Sequence, residues 1–474
     1  MKTLLLLSVL WGQLQPGPHA VGYARQDRYD RSRPYRTAKT LDGKARTGER
    51  ARPIRLSIWY PAQASTAKPV TFGDYLRGEE AAIFGLQGLA RLDEQQRAKL
   101  QAMPSRAVRD AKPATGKFPL ILYSLGSPSP AHVTPEYLAS HGYVVVQAPR
   151  LGAWAGFPAD NRDALDLETK LRDMDFVLNA MQDFPQADLH NIGTIGFSAG
   201  GRWALAAAMK SPDVKAVVSL DSAMLYDDPV TAAWRTMPHF NLDAVRAPIL
   251  HLTSAAFAKG DDAKMWKALR HSDRTTIVYN DPALNHWDFQ SIGYATALAG
   301  ARGADAEKVA SAFHSWNRET LAFLDAHLKG GTYKPSAKAT HIAALPAPIG
   351  IHEFMNALEE EGADAAIAAY RAAWKTRGEP PVPEATVNVA GYNLLFGGRP
   401  ADALRVLALN AEAWPQSANT YDSLADAYVF TGDRARALEL TKKANELLAR
   451  ETALTPERRA AIQGSIDAKL QQLR

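Results

Sequence analysis

Residues Gly196-Phe197-Ser198-Ala199-Gly200 constrain this chain more than any other stretch. They form a Gly-x-Ser-x-Gly pattern between two runs of different character. Upstream, Asn191-Ile192-Gly193-Thr194-Ile195 reads as a short buried strand. Downstream, Arg202-Trp203-Ala204-Leu205-Ala206-Ala207-Ala208-Met209 holds strong helix formers and no breaker. The pattern alone is short, and glycine and serine are common in turns. The strand before it and the helix after it supply the missing context. A serine on a tight strand-to-helix turn presents its hydroxyl beside the amides of the helix start. The flanking glycines are needed because a side chain there would strike a neighbouring element. Ser198 is therefore the expected nucleophile.

Strand-like and helix-like runs alternate from about residue 54 to 330. The expected strands are Ile54–Tyr60, Phe118–Ser124, Tyr143–Ala148, Ile192–Phe197, Ala216–Leu220, Ile249–Thr253 and Thr275–Tyr279. Several are continuously apolar, as in Val144-Val145-Val146, which marks strands covered on both faces. The fold class that follows is α/β, a doubly wound and mostly parallel sheet between helices. Expected helices are Asp163–Met181, Ala199–Met209, Ala263–His271 and Glu307–Leu328. In the first, Leu167, Leu171, Met174, Leu178 and Met181 recur every three or four residues and form one buried stripe. Residues 61–117 are less regular and read as an insertion or cap, with one helix around Glu79–Ala102.

A chain of 474 residues exceeds one ordinary core, so two or three domains are expected. The net charge of +5 gathers early, at Arg25, Arg28, Arg31, Arg33, Arg36, Lys39, Lys44, Arg46, Arg50, Arg52 and Arg55. Asp27, Asp30, Asp42 and Glu49 interrupt that run, and no nucleic-acid-binding motif accompanies it. It reads as a solvated segment, and no nucleic-acid partner is expected. The chain has no cysteine, which excludes disulfides, thiolate catalysis and Cys-ligated zinc. No His/Glu cluster has metal-ligand spacing, so neither metal nor organic cofactor is expected. Lys2, then Leu4–Leu7, Val9, Leu10 and Trp11, resemble the start and centre of a secretory signal. The reading is a signal peptide over 1–24, cleaved after Ala24, and a secreted or periplasmic protein. That apolar run is too short to span a bilayer and no longer one exists, so no integral membrane segment is expected.

Residues 331–350 are a linker by composition. Residues 351–474 read as helical and repetitive. Gly398 aligns with Gly432, Ala403 with Ala437 and Leu404 with Leu438, a period of 432 − 398 = 34 residues. That is the period of a tetratricopeptide repeat, and Gly362–Trp374 reads as a degenerate earlier unit. Such a domain either binds a protein partner or serves as a helical cap on its neighbour, and both readings stand.

A serine hydroxyl needs a histidine to accept its proton and an acid to orient that histidine. In sites of this kind the order along the chain is serine, acid, histidine. His286 follows the late strand Thr275–Tyr279 on a loop. His239, His251 and His271 precede that strand, and His314 and His327 sit in a helical run. The acid is expected at Asp221, which ends the strand Ala216–Leu220, where ligands gather. Asp261 and Asp262, after the next strand, are the alternatives, and a solvated helix start suits them better. The oxyanion hole needs two backbone N–H groups. Ala199 supplies one. The second is assigned to Ser127, in Ser124-Leu125-Gly126-Ser127-Pro128.

Five segments carry a family resemblance: Arg52-Pro53-Ile54-Arg55-Leu56-Ser57-Ile58-Trp59-Tyr60-Pro61, Leu138-Ala139-Ser140-His141-Gly142-Tyr143, Gly196–Gly201, Leu220-Asp221 and His286-Trp287-Asp288-Phe289. Together they resemble the α/β hydrolases of the platelet-activating-factor acetylhydrolase and dienelactone-hydrolase-like family. The resemblance covers about residues 48–330 and implies an α/β-hydrolase domain over 25–330. It also implies an acid just after the strand that follows the nucleophile helix, which matches Asp221. Two departures stand out. Leu125-Gly126 replaces the family's usual His-Gly, and Ala199 replaces a bulkier residue. The dienelactone enzymes use a cysteine nucleophile, so their activity is not implied. The expected function is a serine hydrolase that cleaves carboxylic esters, small or lipid-like, through an acyl-enzyme. A peptidase or amidase would use the same machinery, and an interaction scaffold acting through the repeats is the other class of reading.

Overall fold

The computed structural model describes residues 10–35, 45, 48, 50–76, 89, 92–125, 132–148, 151, 164–224, 226–345 and 349–473. The chain divides into two compact units, Met1–Leu345 and Pro346–Arg474.

The first unit is built on one sheet. Its strands are β1 (Ala20–Pro34), β2 (Ala51–Ala62), β3 (Ala107–Arg109), β4 (Phe118–Leu125) and β5 (Val144–Gln147). They continue with β6 (Ala187–Phe197), β7 (Val214–Leu220), β8 (Ile249–Ser254), β9 (Arg274–Tyr279) and β10 (Thr340–Ile342). Their order across the sheet is β10-β9-β8-β7-β6-β4-β5-β2-β1-β3. The centre, β5 through β9, is parallel throughout. β2 and β10 run antiparallel to their parallel neighbours β5 and β9.

Strand geometry sends successive side chains to opposite faces, and the core shows the consequence. Ile121, Tyr123, Val145, Ile195, Phe197, Val218, Leu220, Leu250 and Leu252 join one apolar cluster, with Phe313, Trp316 and Leu324 of the helix Ala306–Leu328. Leu120, Leu122, Val144, Val146, Ile192, Val217 and Ile249 join the other. There they meet Leu167, Leu171 and Met174 of the helix Ala164–Ala180, and Trp203 and Leu205 of the helix Gly200–Lys210. Both faces are buried, as the continuous apolar runs demand. From β4 the chain moves to β5 on one side, then returns to β6 on the other. A crevice opens at the carboxyl ends of strands where the winding reverses in this way.

The basic run near the start differs from expectation. Arg52 and Arg55 are buried and paired. Arg55 donates to both carboxylate oxygens of Asp27, at 2.5 and 2.7 Å. Arg52 donates to both of Asp173 at 2.8 Å, and Arg33 reaches Asp30 at 2.6 Å and Asp173 at 2.8 Å. These arginines sit on the long β1–β2 ribbon and answer carboxylates across it and on a helix 121 residues away. A count of local charge included Asp27 and Asp30 but could not see Asp173. Ala20–Ala24, ahead of the expected cleavage point, form the first five residues of β1. Leu10, Trp11 and Leu14 join the apolar core, and the Trp11 indole donates to the buried Glu136 carboxylate at 2.9 Å. Burial raises the Glu136 pKa, against hydrogen bonds from Tyr75 and Trp11 that lower it.

Within 61–117 the described elements are the short helix Phe72–Tyr75, the helix Glu94–Ala102 and β3. Part of the stretch read as linker is strand, since β10 pairs with β9. The second unit is all-helical, with Ile351–Asn356, Ala363–Arg377, Glu384–Phe396, Pro400–Ala413, Ala418–Thr431, Arg434–Arg450 and Pro456–Leu473. Gly398 and Gly432, aligned in the sequence, both follow a helix and both have positive φ, +80° and +86°. Ala403 and Ala437, also aligned, are fully buried.

Candidate active site

Ser198 stands on the turn between β6 and the helix Gly200–Lys210. Its φ is +56°, the left-handed region that a residue with a side chain occupies at a cost. The turn is held from several sides. The Ser198 N–H donates to Leu220 O at 3.2 Å, and its carbonyl accepts from Gly201 N and Ala223 N at 3.2 and 3.0 Å. Gly196 has no room for a side chain: a Cβ there would sit 2.5 Å from Gly200 O and 2.6 Å from Gly201 Cα. A Cβ on Gly201 would run into the Ser222 hydroxyl. Ala199 directly precedes the helix, where the first amides have no partner four residues back. Ser127 and Gly126 lie outside the described residues.

Asp221 follows β7 and is fully buried, with φ +41°. Its Oδ1 accepts from the Ser254 N–H at 2.6 Å and from the Thr253 hydroxyl at 3.2 Å. Its Oδ2 lies 2.8 Å from His286 Nδ1. Two residues named from the sequence, 65 positions apart, are thus joined by a hydrogen bond at the carboxyl edge of the sheet. Phe197, immediately before Ser198, stacks on the His286 ring at 4.5 Å between centroids, which sets the imidazole beside the serine turn. The His286 side chain is 22% exposed and Asp221 is 0% exposed, so the pair faces solvent from the histidine side only.

The loop that carries His286 is pinned locally. Asn285 caps the turn His286–Phe289, and Asp288 answers with a hydrogen bond from Asn285 N at 2.8 Å. Asp288 also receives Arg302 Nη1 at 2.6 Å, and its carbonyl accepts from the Trp316 indole at 3.2 Å. Burial raises the Asp288 pKa despite those donors.

The alternative acids are engaged elsewhere. Asp262 caps the helix Ala263–Ala268 and meets Arg235 at 3.3 Å. Asp261 Oδ2 lies 3.1 Å from His251 Nε2, whose Nδ1 is 2.7 Å from the Ser219 hydroxyl. His251 is buried in β8 with a partner at each ring nitrogen. Two residues escaped the sequence reading, Phe257 and Ser254. Phe257 lies flat on His286 at 4.1 Å with planes 6° apart. No sequence signal marks that stack, because Phe257 lies in the one-turn helix Ala255–Ala258 after β8 and His286 in the turn His286–Phe289 after β9. Among the described residues, no group of three or more His, Asp or Glu could hold a metal ion. No helix among them is long and apolar enough to cross a membrane.

Comparison with known proteins bears on the same region. The chlorophyllase family model matches residues 88–257, a span that contains Ser198 and Asp221 and ends before His286. The fold is that of the α/β hydrolases. Among solved structures, the chain is similar to a ferulic acid esterase from Streptomyces cinnamoneus. That likeness has 18% identity and a TM-score of 0.48, over 68% of this chain and 96% of that one. It is also similar to an acylaminoacyl peptidase from Pyrococcus horikoshii, at 14% identity and a TM-score of 0.36. There the match covers 69% of this chain and 44% of that one. No curated protein matches the chain.

Proposed function

We propose that the chain is a serine esterase in which Ser198, His286 and Asp221 act together. The observation that carries the reading is the 2.8 Å contact between His286 and Asp221, beside the strained turn that bears Ser198. In the proposed reaction, Ser198 Oγ attacks the ester carbonyl as its proton passes to His286 Nε2. The Ala199 N–H, with Ser127 N–H as second donor, binds the oxygen that becomes negative. His286 then gives the proton to the leaving alcohol oxygen, and the acyl group stays on Ser198. Water attacks that ester with His286 as base, and His286 returns the proton to Ser198 Oγ as the acyl bond breaks and the acid is released. Asp221 keeps Nδ1 protonated and the ring in place.

The substrate class we propose is a carboxylic ester, in line with the acetylhydrolase-like motifs and the chlorophyllase match. An amide would pass through the same steps, so turnover of an acylated amine against the matching oxygen ester separates the two. We further propose export, on the strength of Lys2 and the apolar run Leu4–Leu7. Cleavage after Ala24 would remove five residues of β1, so N-terminal sequencing of exported protein decides where processing falls. For the helical unit we propose tetratricopeptide-like repeats that engage a protein partner, on the 34-residue period.

The test of the enzyme is direct. Ser198→Ala should abolish hydrolysis of a short p-nitrophenyl ester, and a fluorophosphonate should label Ser198 and no other serine. Unchanged turnover in Ser198→Ala overturns the assignment.

A further inference from the structure

We propose that Phe257 is a positioning residue for His286. With Phe197 it forms an aromatic slot that fixes the imidazole plane and steadies the ring when it takes up a proton. This rests on the reading of Ser198, His286 and Asp221 as a serine-hydrolase site.

The geometry is that of a sandwich. Phe257 lies 4.1 Å from the imidazole centroid at 6° between planes, and Phe197 lies 4.5 Å away at 28°. Two rings cannot share one face of an imidazole at those distances, so they cover opposite faces. Rotation about the Cβ–Cγ bond would drive the imidazole edge into one ring or the other. The single hydrogen bond from Nδ1 to Asp221 would otherwise leave the ring free to tilt about that axis. The slot removes the tilt and leaves the Nε2 edge as the working edge. A protonated imidazole also gains from aromatic faces, because the negative faces of the rings attract the cation. The stabilisation is larger for the imidazolium than for neutral imidazole, so it acts on the step in which Ser198 loses its proton.

The turn that carries Phe257 is itself anchored from both ends. Ser254 accepts the Phe257 N–H on its hydroxyl at 3.3 Å, and its own N–H donates to Asp221 Oδ1 at 2.6 Å. One residue therefore orients the acid and starts the turn that covers the base. The Tyr226 hydroxyl donates to Phe257 O at 3.0 Å, and its ring packs 5.6 Å from that of Phe257. Beyond the turn, Asp261 is tied to His251 at 3.1 Å. His251 is tied to Ser219 at 2.7 Å, and Ser219 to Ser222 at 2.7 Å, on either side of Asp221. This polar chain, buried except at Asp261 and not used by the proposed reaction, links the end of the Phe257 turn to the strand end that bears the acid.

The experiment compares wild type with Phe257→Leu and Phe257→Tyr on a short p-nitrophenyl ester, with fluorophosphonate labelling in parallel. Phe257→Leu should lower kcat about three- to tenfold with KM changed less than about twofold. Phe257→Tyr should restore kcat to within about twofold of wild type. The ring currents of the two phenyls should shift the His286 Cε1–H resonance of the wild-type protein upfield, with His286→Gln identifying the signal. Wild type that labels at Ser198, while Phe257→Leu keeps wild-type kcat, overturns the slot alone. An unshifted His286 resonance in wild type overturns it too, whatever the variants do. Wild type that fails to label at Ser198 overturns the underlying site and the slot with it.

Discussion

Asp221 holds His286 from a position that is both buried and strained: its φ is +41°, and its Oδ2 lies 2.8 Å from His286 Nδ1. The other carboxylate oxygen is occupied by Ser254 N–H and the Thr253 hydroxyl. One oxygen is thus held by β8, and the other is left to meet the imidazole. Asp221→Asn keeps the size but places an amide against a ring nitrogen that must carry a proton. The tautomer then inverts, and Nε2 can no longer accept from the serine. The expected result is a fall of about 10³- to 10⁴-fold in kcat with the fold intact. Asp262→Asn, a helix-cap change, should leave kcat within about twofold. Ester turnover of both variants checks this, and the opposite pattern transfers the acid role.

Gly201 lies where the nucleophile helix meets the residue after Asp221. A Cβ at Gly201 would strike the Ser222 hydroxyl and come within 3.0 Å of Met224 Cβ. Ser222 is fully buried and cannot swing out. Gly201→Ala should therefore displace Ser222, and with it the backbone of Asp221. We expect a stability loss of about 1–3 kcal/mol and a kcat loss of at least about tenfold. Denaturant unfolding and ester turnover measure the two. A fully active Gly201→Ala would show that the acid's position tolerates movement of its neighbour.

The features that repeat along the chain were legible in the sequence. Continuous apolar runs marked several of the central strands, β5 among them, because a strand buried on both faces needs no polar alternation. The Gly-x-Ser-x-Gly turn was legible because sterics at Gly196 and Gly201 admit nothing larger. Asp221 and His286 were candidates because each follows a strand whose carboxyl end lines the crevice, and the structure joins the two by a hydrogen bond. Features that depend on distant partners stayed hidden. Arg52 looked solvated because its carboxylate, Asp173, is 121 residues away. β1 was obscured because its start resembles a signal cleavage site and its remainder carries alternating charge. Phe257 on His286 is a meeting of two short helical turns that follow different strands, and no local pattern encodes it.

In the helical unit, Lys469 is buried between carboxylates. Its Nζ lies 2.5 Å from Asp426 Oδ1 and 3.1 Å from Asp422 Oδ1. Asp426 also accepts from the Tyr392 hydroxyl at 2.7 Å, and Asp422 from Ser465 at 2.8 Å. This network ties the last helix to the helix Ala418–Thr431. Burial raises the Asp422 pKa, and Lys469 is foremost among the groups that oppose the rise. Lys469→Ala would leave that carboxyl without its cation, at a cost of about 3 kcal/mol. Denaturant unfolding followed by circular dichroism should show the helical unit lost at lower denaturant. Ester hydrolysis in buffer should be unchanged, since no proposed catalytic residue lies in this unit. An unaltered unfolding curve would show that the network contributes little.

His314 supplies the pH dependence. It is buried in the helix Ala306–Leu328, and its Nε2 accepts from the Gln13 N–H at 3.3 Å and meets the Tyr294 hydroxyl at 3.2 Å. Protonating Nε2 would turn it against the Gln13 donor. Burial first, and the nearby Arg318 second, lower the His314 pKa to about 4. In the unfolded chain a histidine titrates near 6.5. Between those two values the unfolded state binds the extra proton, so stability is complete above about pH 7 and falls as pH drops toward 4. The loss from this one group is at most about 3 kcal/mol. His314→Gln keeps an acceptor near Gln13 and Tyr294 but cannot titrate. Its unfolding free energy, measured at pH 7.5 and pH 4.5, should change by about 1–3 kcal/mol less than that of wild type. Equal changes in the two proteins would mean that His314 takes its proton as readily in the folded state as in the unfolded one.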